Sequence, residues 1–488
     1  MKIKKGHQKS YILFLFCLLI GIQPVVAQQP IQLKFNRGKT FKVAQFTDIH
    51  WDNNSENCLK TIETIESVLK IEKPDLAVIT GDIVTASPAV EGWKAVAKPF
   101  IQAQVPWTVT LGNHDAEPGI SRDEIFELLQ SFPFFVGNKG TDLTGCGNYN
   151  IPIKASDNSK TAAAIYCFDS NSYSVNKKQS DYDWIHFDQI NWYRNESKKT
   201  TSLNNNSPIP SLAFFHIPIP EYNLIVGKET TMGEQFEGVA SADVNSGIFA
   251  SMLEMKDIMG VFVGHDHDNN YIGIHKDIAL AFGQVTGADA YGDFDRGSRI
   301  IELKEGEYSF DTWIRSIKGE DFKYNYPSGL LYDDNSVEYS VANPVEDLTQ
   351  GIAYNYYEGK FNSTEDIAGS KVVKSGFLNN ISLNPAKVDD YFAFEFNAFL
   401  KIEKKGVYRF YNYSDDGSRL FIDGKLVVDN DGSHSAGRKD GSIALEKGYH
   451  KLKVMYFESY MGDELEVGIS GLSIRETKIP DNMLFRKK

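Results

Sequence analysis

The sequence predicts a layered α/β core flanked by helices, followed by a separate all-β sandwich. Between residues 41 and 314, short apolar runs end in polar residues and alternate with helical patterns, which is typical of α/β folds. From residue 351 onward, apolar and polar residues alternate, and Gly, Asp and Asn turns join the runs, as in two-sheet sandwiches. The 488 residues are enough for two or three domains.

The first 27 residues have the pattern of a secretory signal peptide. Four lysines precede an apolar run of 12 residues, and Val25 and Ala27 lie before a small-residue cleavage site. The run is too short to span a bilayer, although a short membrane anchor is the alternative. We therefore expect a secreted or periplasmic protein whose mature chain has no transmembrane segment. The net charge of −14 gives no basis for a nucleic-acid surface.

The predicted elements divide the rest of the chain. Leu59, Ile62, Ile65 and Leu69 form one helical stripe that Pro74 ends, and further helices are predicted over Arg122–Ser131 and Tyr182–Glu196. Polar, aperiodic sequence separates the α/β region from the β-rich region. We therefore predict a core over residues 28–316, a linker or irregular segment over 317–350, and a β-sandwich over 351–488.

Five strand-like runs of the core end in residues of the kinds that bind metals. In such folds, ligands collect at the carboxyl ends of strands. Five of the ten histidines fall in these short segments, and glycine precedes three of the candidates. The candidate ligands are Asp48, His50, Asp82, Asn113, His216, His265 and His267.

Imidazole, carboxylate and amide groups together suit Zn, Fe or Mn ions. Seven ligands are too many for one ion but fit two ions that share a carboxylate. Two such ions clamp a phosphoryl group and generate hydroxide near neutral pH.

These segments resemble those of the calcineurin-like metallophosphoesterases. The family pattern D-x-H, G-D, G-N-H-D/E, a lone H and G-H-x-H stands here, in order, as "DIH", "GD", "GNHD", "FFHIP" and "GHDH". Further segments, such as "EKPDLAVITGD" and "VPWTVTLGNHD", are most similar to the subgroup related to purple acid phosphatases. The resemblance covers about residues 41 to 314.

The resemblance implies a role for each residue. The first ion is expected on Asp48, His50 and His267 and the second on Asn113, His216 and His265, with Asp82 bridging them. His114 is expected to reach the phosphate and protonate the leaving oxygen, and Asp115 to orient its imidazole.

One departure concerns the metals. Thr85 stands where purple acid phosphatases carry the tyrosine that binds ferric iron, and His50 replaces a residue that is not histidine there. We therefore expect a colourless site of two similar divalent or trivalent ions. Tyr149, Asn150 and Tyr291 are our candidates for substrate contacts.

The C-terminal region resembles the protective-antigen-like β-sandwich domain. The similarity lies in "GVYRFYNYSDDGSRLFIDGKLVVDNDG", "GYHKLKVMYFE" and "IPDNMLF". Some members of that family bind glycans through a calcium ion held by an Asp-Asp pair, which Asp415 and Asp416 match. The alternative is that both aspartates belong to a simple hairpin turn.

Together these features indicate a secreted binuclear phosphoesterase in which a metal-bridging hydroxide attacks a phosphate monoester. The first alternative is a phosphodiesterase with the same site. The second is a glycan-binding protein whose N-terminal domain is a non-catalytic scaffold. Cys146 and Cys167 could pair in an oxidising compartment, although spacing alone does not establish a disulfide.

Overall fold

The computed structural model describes residues 31–228, 231–329, 338–471 and 474–488. The predicted signal peptide, residues 1–27, lies outside the described residues. Within the described part of the chain, no helix is long and apolar enough to cross a membrane.

The N-terminal part contains twelve strands and five α-helices among the described residues. In chain order they are β1 (Thr40–Phe46), α1 (Cys58–Glu72), β2 (Leu76–Thr80), α2 (Ala89–Ala103), β3 (Trp107–Thr110), α3 (Arg122–Leu129), β4 (Tyr149–Lys154), β5 (Thr161–Cys167), α4 (Phe187–Leu203), β6 (Ser211–Phe214), α5 (Ile248–Met255), β7 (Ile258–Val263), β8 (Ile272–His275), β9 (Ile278–Phe282), β10 (Gly297–Lys304), β11 (Phe310–Ser316) and β12 (Gly319–Tyr326). The mixture of helices and strands confirms the predicted α/β class.

These strands form two mixed six-stranded sheets, with the parallel strands at one end of the first sheet and in the centre of the second. The first has the order β12-β11-β10-β1-β2-β3, with β1, β2 and β3 parallel. The second has the order β4-β5-β6-β7-β9-β8, with β5, β6, β7 and β9 parallel. The sheets contact each other where the ring of Phe262 lies 5.7 Å from that of Phe310 and the Gln45 amide donates to the Val263 carbonyl.

This topology brings the predicted ligand segments together. Strands β1, β2 and β3 are neighbours in one sheet and β6 and β7 in the other, so their carboxyl ends meet at the same edges. The loops after β1 and β2 are joined directly, because the backbone N–H of Asp48 donates to the carbonyl of Gly81 and that of His50 to the carbonyl of Asp82. The metal-type residues follow these strand ends.

The predicted helices exist, with shifted limits. Helix α1 buries Ile65 and Leu69, but Leu59 is 73 % exposed and lies outside the buried stripe. Helix α4 begins at Phe187 rather than at Tyr182. Helices α2 and α5 were not predicted, and strand β12 lies in residues 317–350, the segment predicted as a linker.

The C-terminal part is all β among the described residues, apart from two short 3-10 turns. Its strands are β13 (Leu348–Gln350), β14 (Ile352–Glu358), β15 (Lys374–Leu378), β16 (Phe392–Ile402), β17 (Gly406–Asp415), β18 (Ser418–Ile422), β19 (Lys425–Asn430), β20 (Gly437–Leu445), β21 (Gly448–Glu458), β22 (Glu464–Gly471), β23 (Ile474–Lys478) and β24 (Leu484–Lys487).

These strands pack as two sheets around an apolar core. One sheet has the order β13-β24-β16-β21-β18-β19, and β14 and β15 extend it from β16. The other has the order β20-β17-β22-β23. Phe394, Phe396, Leu420 and Val454 of the larger sheet and Phe410 of the smaller one belong to a single buried cluster, which confirms the predicted sandwich.

The three cysteines in the described part of the chain do not form a disulfide. Cys58, Cys146 and Cys167 are all free thiols, and burial raises the pKa of Cys146 and of Cys167 to about 12. The predicted option of a bond between Cys146 and Cys167 is therefore not realised in this structure.

Candidate metal centre

Two groups of predicted ligands converge where the strands end. Asp48, His50 and His267 offer ligand atoms within 4.8 Å of one another, and so do Asp82, His216 and His265. Asp82 also lies near the first group, because its Oδ2 is 3.8 Å from His50 Nε2. Its position between the groups is the one expected of a bridging carboxylate.

Asn113 completes the second group. Its Oδ1 lies 3.2 Å from His216 Nε2, while its amide nitrogen donates to the hydroxyl of Tyr173. All seven predicted ligands therefore lie at one site, as the sequence motifs indicate.

The backbone at this site is unusual. Asp48, His50, Asp82 and His265 have positive φ angles of 51°, 48°, 49° and 78°. Residues other than glycine adopt this region at a cost of about 1–3 kcal/mol each, and such residues concentrate at functional sites. The turn at each strand end directs the side chain toward the shared site.

Glycine allows the close approach of these segments. A Cβ at Gly264 would overlap the hydroxyl of Thr47 and lie 2.6 Å from Asp48 Oδ2, and one at Gly112 would overlap Asp82 Oδ1. A side chain at either position would displace a ligand, as we expect for glycines that precede metal ligands.

The arrangement around His216 requires a positive charge, which either a proton or a metal ion can supply. Its Nδ1 lies 2.8 Å from the carbonyl of Thr80, so Nδ1 carries the proton and Nε2 of the neutral ring is an acceptor. This Nε2 faces two other acceptors, Asp82 Oδ2 at 3.1 Å and Asn113 Oδ1 at 3.2 Å. Acceptor atoms that converge in a buried site repel one another unless a proton or a metal ion lies among them.

The spacing of these atoms fits a metal ion. Ligands about 2.1 Å from a tetrahedral ion are about 3.4 Å apart. His265 Nδ1 lies 3.2 Å from His216 Nε2, close to that spacing. In addition, His50 Nε2, which faces Asp82 at 3.8 Å, is buried without a hydrogen-bond partner among the described residues. The donor set therefore fits two metal ions.

The charges at the site also favour metal binding. Burial raises the pKa of Asp48, but the neighbouring His267 more than offsets this and lowers it to about 2. His216 and His50 likewise hold the pKa of Asp82 below its usual range, despite its burial. Burial, together with His216, lowers the pKa of His265 to about 3, so its ring is neutral at pH 7.

His216 carries the opposite shift. Burial lowers its pKa, but the carboxylates of Asp82 and Asp48 outweigh this effect and raise it to about 9. The two carboxylates thus attract a positive charge to this point, and a metal ion competes with the proton for it.

His114 lies at the rim of the site without joining the ligand groups. Its side chain is 32 % exposed, and its Nδ1 lies 2.7 Å from Glu117 Oε2. Its Nε2 is 3.4 Å from the hydroxyl of Tyr173. Glu117 holds Nδ1, so that Nε2 faces Tyr173 and the ligand groups.

The prediction that Asp115 orients His114 is wrong. The Asp115 carboxylate is fully buried and accepts hydrogen bonds from the backbone N–H groups of Ile83, Val84 and Gly112. Burial and the charge of Asp82 raise the pKa of Asp115 to about 6. Asp115 therefore joins the loops after β2 and β3, and Glu117 takes the orienting position.

Comparison with known proteins agrees with this geometry. The calcineurin-like phosphoesterase family matches residues 41–269. An Arabidopsis thaliana protein named "Probable inactive purple acid phosphatase 29" is 31 % identical over 63 % of this chain and 88 % of its own length. The chain belongs to the calcineurin-like phosphoesterases.

A yeast protein and a solved structure are also similar to this phosphoesterase. "Phosphatase DCR2" of Saccharomyces cerevisiae is 31 % identical over 68 % of this chain and 62 % of its own. Among solved structures, a dimetal phosphatase from Danio rerio is 12 % identical, with a TM-score of 0.41, over 58 % of this chain and 98 % of its own. The C-terminal residues 348–480 match the PA14 domain, the predicted protective-antigen-like family.

Two of the predicted substrate contacts of the phosphoesterase are wrong. Tyr149 is buried, and its hydroxyl bonds to Thr108 and to the carbonyl of Val109, so it belongs to the core. Asn150 is on strand β4, where its amide donates to Glu196 of helix α4. Both residues follow the "GCG" segment, which leads into strand β4 and not toward the metal ligands.

Three tyrosines of the phosphoesterase lie beside the ligands, namely the exposed Tyr173 and Tyr291 and the half-buried Tyr182, whose ring centre is 4.6 Å from that of His265. Tyr291, which was predicted, stacks on His267 with ring centres 3.9 Å apart and is 55 % exposed. Tyr173, which was not predicted, is 41 % exposed and reaches both Asn113 and His114. No sequence motif marks Tyr173, since it comes from a loop 60 residues after Asn113.

In the PA14 domain, the predicted residues Asp415 and Asp416 form a possible ion-binding group with Glu458. Glu458 was not among the predicted residues. The carboxylate of Asp416 accepts hydrogen bonds from the backbone N–H groups of His434 and Ser459. The carboxylate of Asp415 accepts one from the backbone N–H of Ala436. Burial raises the pKa of Glu458 to about 7, aided by the two aspartates. These contacts are compatible with a simple hairpin turn and also with an ion-binding site at Asp415 and Asp416.

Proposed function

We propose that this protein is a metal-dependent phosphoesterase that acts on phosphate monoesters. The observation that carries the proposal is the convergence of Asp82, Asn113 and His216, whose buried ligand atoms surround a point that attracts a positive charge. The complete set of seven ligand residues and the exposed His114 beside it support the same function. Family membership supports it independently.

Two ions would be held by the two groups of ligands that share Asp82. When bound, such ions polarise a phosphoryl oxygen and lower the pKa of a water molecule. The protein fixes their positions through strand ends that hydrogen bonds join, such as that from His265 N–H to Asp48. Thr85 in place of a tyrosine supports a colourless pair of similar ions.

His114 would act on the leaving group. Glu117 holds Nδ1 of His114 at 2.7 Å, so that Nε2 faces the ligand groups and can donate a proton to the substrate. Transfer of that proton to the ester oxygen would avoid the release of a free alkoxide. Glu117 is therefore a positioning residue and His114 the catalytic one.

The substrate is expected to enter between the two tyrosines at the rim. Tyr173 lies on the His114 side and Tyr291 on the His267 side, and both are exposed enough to contact the organic part of an ester. We propose that they contact the leaving group, because aromatic faces provide apolar area without demanding a specific hydrogen bond.

Some relatives are named inactive, and this supports the alternative in which the N-terminal domain is a scaffold. A site that has lost its function does not need to keep its ligands, whereas all seven are kept here. The hydrogen bond between His114 and Glu117 also serves no obvious structural purpose, since both side chains are partly exposed. These observations favour an active enzyme.

Hydrolysis assays on a monoester and a diester test the proposal. The metal-loaded protein should hydrolyse p-nitrophenyl phosphate faster than bis-p-nitrophenyl phosphate, and His114→Asn should lower kcat by about 100-fold or more. Faster hydrolysis of the diester would establish the phosphodiesterase alternative. Hydrolysis of neither, with metal content intact, would overturn the enzyme proposal.

We also propose that the protein is secreted or periplasmic, on the basis of the lysine-rich start and the short apolar run that follows it. Sequencing the N-terminus of the protein exported by its own host should give Gln28. Recovery of the intact N-terminus in the membrane fraction would support the anchor alternative instead.

A second candidate function, glycan binding by the PA14 domain, is favoured by the group of Asp415, Asp416 and Glu458. Calcium would be held by these carboxylates, and Ca²⁺ should raise the melting temperature of the wild type but not that of Asp416→Asn. An equal shift in both would favour the simple turn. Glycan arrays with and without Ca²⁺ would then test for sugar binding.

A further inference from the structure

A cavity of about 680 Å³ lies on the outer face of the larger sheet of the PA14 domain. Small-molecule sites usually have volumes of about 300–1,000 Å³. We propose that this sheet-face cavity binds a small organic anion with a flat apolar body. The cavity shares no residue with the metal centre or with the group of Asp415, Asp416 and Glu458.

The strand register places the floor of the cavity in one row across five strands. Phe377 pairs with Ala353, Ala353 with Asn397, Asn397 with Lys453, and Lys453 with Phe421. Because side chains alternate between faces along a strand, this whole row points away from the sandwich core. The small Ala353 lies between the larger Phe377 and Asn397, so the row is lowest at Ala353.

The outer face of the larger sheet exposes more apolar surface than is usual for the solvent side of a sandwich. Phe377 is 62 % exposed, and Phe399, Phe421 and Met455 also line the cavity as partly buried side chains. The outward residues of a sandwich are ordinarily polar. A concave group of exposed aromatic side chains is typical of a binding surface.

The same cavity is positively charged although the chain carries a net charge of −14. Lys451, Lys453, Arg486 and Lys487 line it, and none of its described lining residues is a carboxylate. Arg486 lies 3.8 Å over the ring of Phe377, which aligns a cation with the aromatic wall. The side chain of Lys453 is bridged to Glu395 at 2.9 Å, whereas Lys451 has no carboxylate partner among the described residues.

These properties select the class of ligand. A neutral sugar needs several hydrogen-bonding side chains, but among the described lining residues Asn397 is the single uncharged side chain that offers them. An apolar body fits against the phenylalanine rings, and a sulfonate or carboxylate fits beside the lysines. The bounded volume favours a small ligand over a polymer.

Isothermal titration of the full chain with naphthalene-2-sulfonate tests the inference. We expect saturable binding at one site, with affinity that falls as salt rises because the contact with the lysines is electrostatic. Naphthalene-2-methanol, which lacks the charge, and methanesulfonate, which lacks the ring, should each bind at least tenfold more weakly. Equal binding of either control compound would overturn the proposed class of ligand.

Three variants locate the site. Asn397→Trp fills the centre of the row from an exposed position, and Lys451→Met removes one cation, so each should weaken binding at least tenfold. Lys439→Met, an exposed lysine on strand β20 of the other sheet, is the matched control and should bind as the wild type does. Unchanged affinity in both cavity variants would overturn the proposal.

A fourth variant excludes binding at the metal centre. Asp82→Asn removes the bridging carboxylate, and sulfonate binding should be unchanged if it occurs in the sheet-face cavity. Loss of binding in Asp82→Asn would place the anion at the metal centre and overturn the proposal, while leaving the proposed phosphoesterase function intact.

Discussion

At the scale of single residues, His114 is held by Glu117 and not by its neighbour Asp115. The spacing explains the difference, since the turn after Asn113 brings residue 117 back toward residue 114, and Glu117 N–H donates to the His114 carbonyl. The Asp115 side chain instead points into the protein and binds three backbone N–H groups. The two acidic residues therefore have separable effects, one on catalysis and one on stability.

Glu117→Gln should lower kcat for a phosphate monoester about 10- to 100-fold, with little change in KM. The stability of the fold should be unchanged, because Glu117 is exposed. Glu91→Gln on helix α2, also exposed, is the matched control. An unchanged kcat in Glu117→Gln would contradict the positioning role.

Asp115→Ala should destabilise the protein by about 2–4 kcal/mol, because three backbone donors lose their buried acceptor. Urea denaturation followed by circular dichroism measures this loss, and Asp115→Asn, which keeps one acceptor oxygen, should be affected less. Wild-type stability combined with a reduced kcat would instead restore the predicted orienting role of Asp115.

The metal ligands could be predicted from the sequence because each lies in a short motif beside a strand end. The residues around them could not, because their positions depend on how distant loops fold. Tyr173 reaches Asn113 from 60 positions away. Tyr149, like several of the ligands, follows a glycine-containing segment, yet its side chain faces the core. The local sequence does not show which face of a sheet a strand residue points to.

At the scale of elements, the site is formed by how strands end. Strands β1, β2 and β7 are each followed by a ligand with positive φ, and Gly264 lets the loop after β7 approach Thr47 and Asp48. The ligands of both ions thus depend on the contact between the two sheets. This contact couples the stability of the sheets to metal binding.

Gly264→Ala should abolish most metal binding, because its Cβ would overlap Thr47 and lie 2.6 Å from Asp48 Oδ2. Metal content measured by mass spectrometry on the purified variant checks this. Gly238→Ala is the matched control, since a Cβ there meets nothing within 4 Å and its content should equal that of the wild type. A full complement of metal in Gly264→Ala would show that the close approach is not required.

Three of the five helices that the structure describes in the core were predicted. Helix α2 was missed because Pro99 lies inside it and Gly92 near its start, and both residues ordinarily disfavour a helix interior. Its buried face of Trp93, Val96 and Phe100 stabilises it nonetheless. Tertiary packing therefore outweighs local propensity at this helix.

At the scale of the whole molecule, the catalytic and PA14 parts have separate sheets and separate cores. An ion pair between Glu307 and Lys404, 2.6 Å apart, links them across the boundary. The seven metal ligands and His114 all precede residue 270. Catalysis on small substrates should therefore not need the PA14 domain.

Truncation of the chain from Gly351 onward should leave kcat/KM for p-nitrophenyl phosphate within about threefold of the full chain. Circular dichroism and metal content of the truncated protein serve as controls for folding. Loss of activity in a truncated protein that is folded and holds metal would show that the PA14 domain contributes to the site.

The net charge of −14 does not indicate the local charge at the two binding sites. At the metal centre, carboxylates attract cations, and these cations in turn attract phosphate. At the sheet-face cavity, lysines and an arginine are concentrated on one face. An acidic protein can therefore offer two separate sites for anions.

Metal titration of the metal-free protein, with p-nitrophenyl phosphate hydrolysis as the readout, tests the central claim most directly. We predict no turnover without metal and full turnover at about two ions per chain, with no recovery in Asp82→Asn. Hydrolysis that persists in the metal-free protein, or a protein that holds two ions and hydrolyses no phosphate ester, would contradict it.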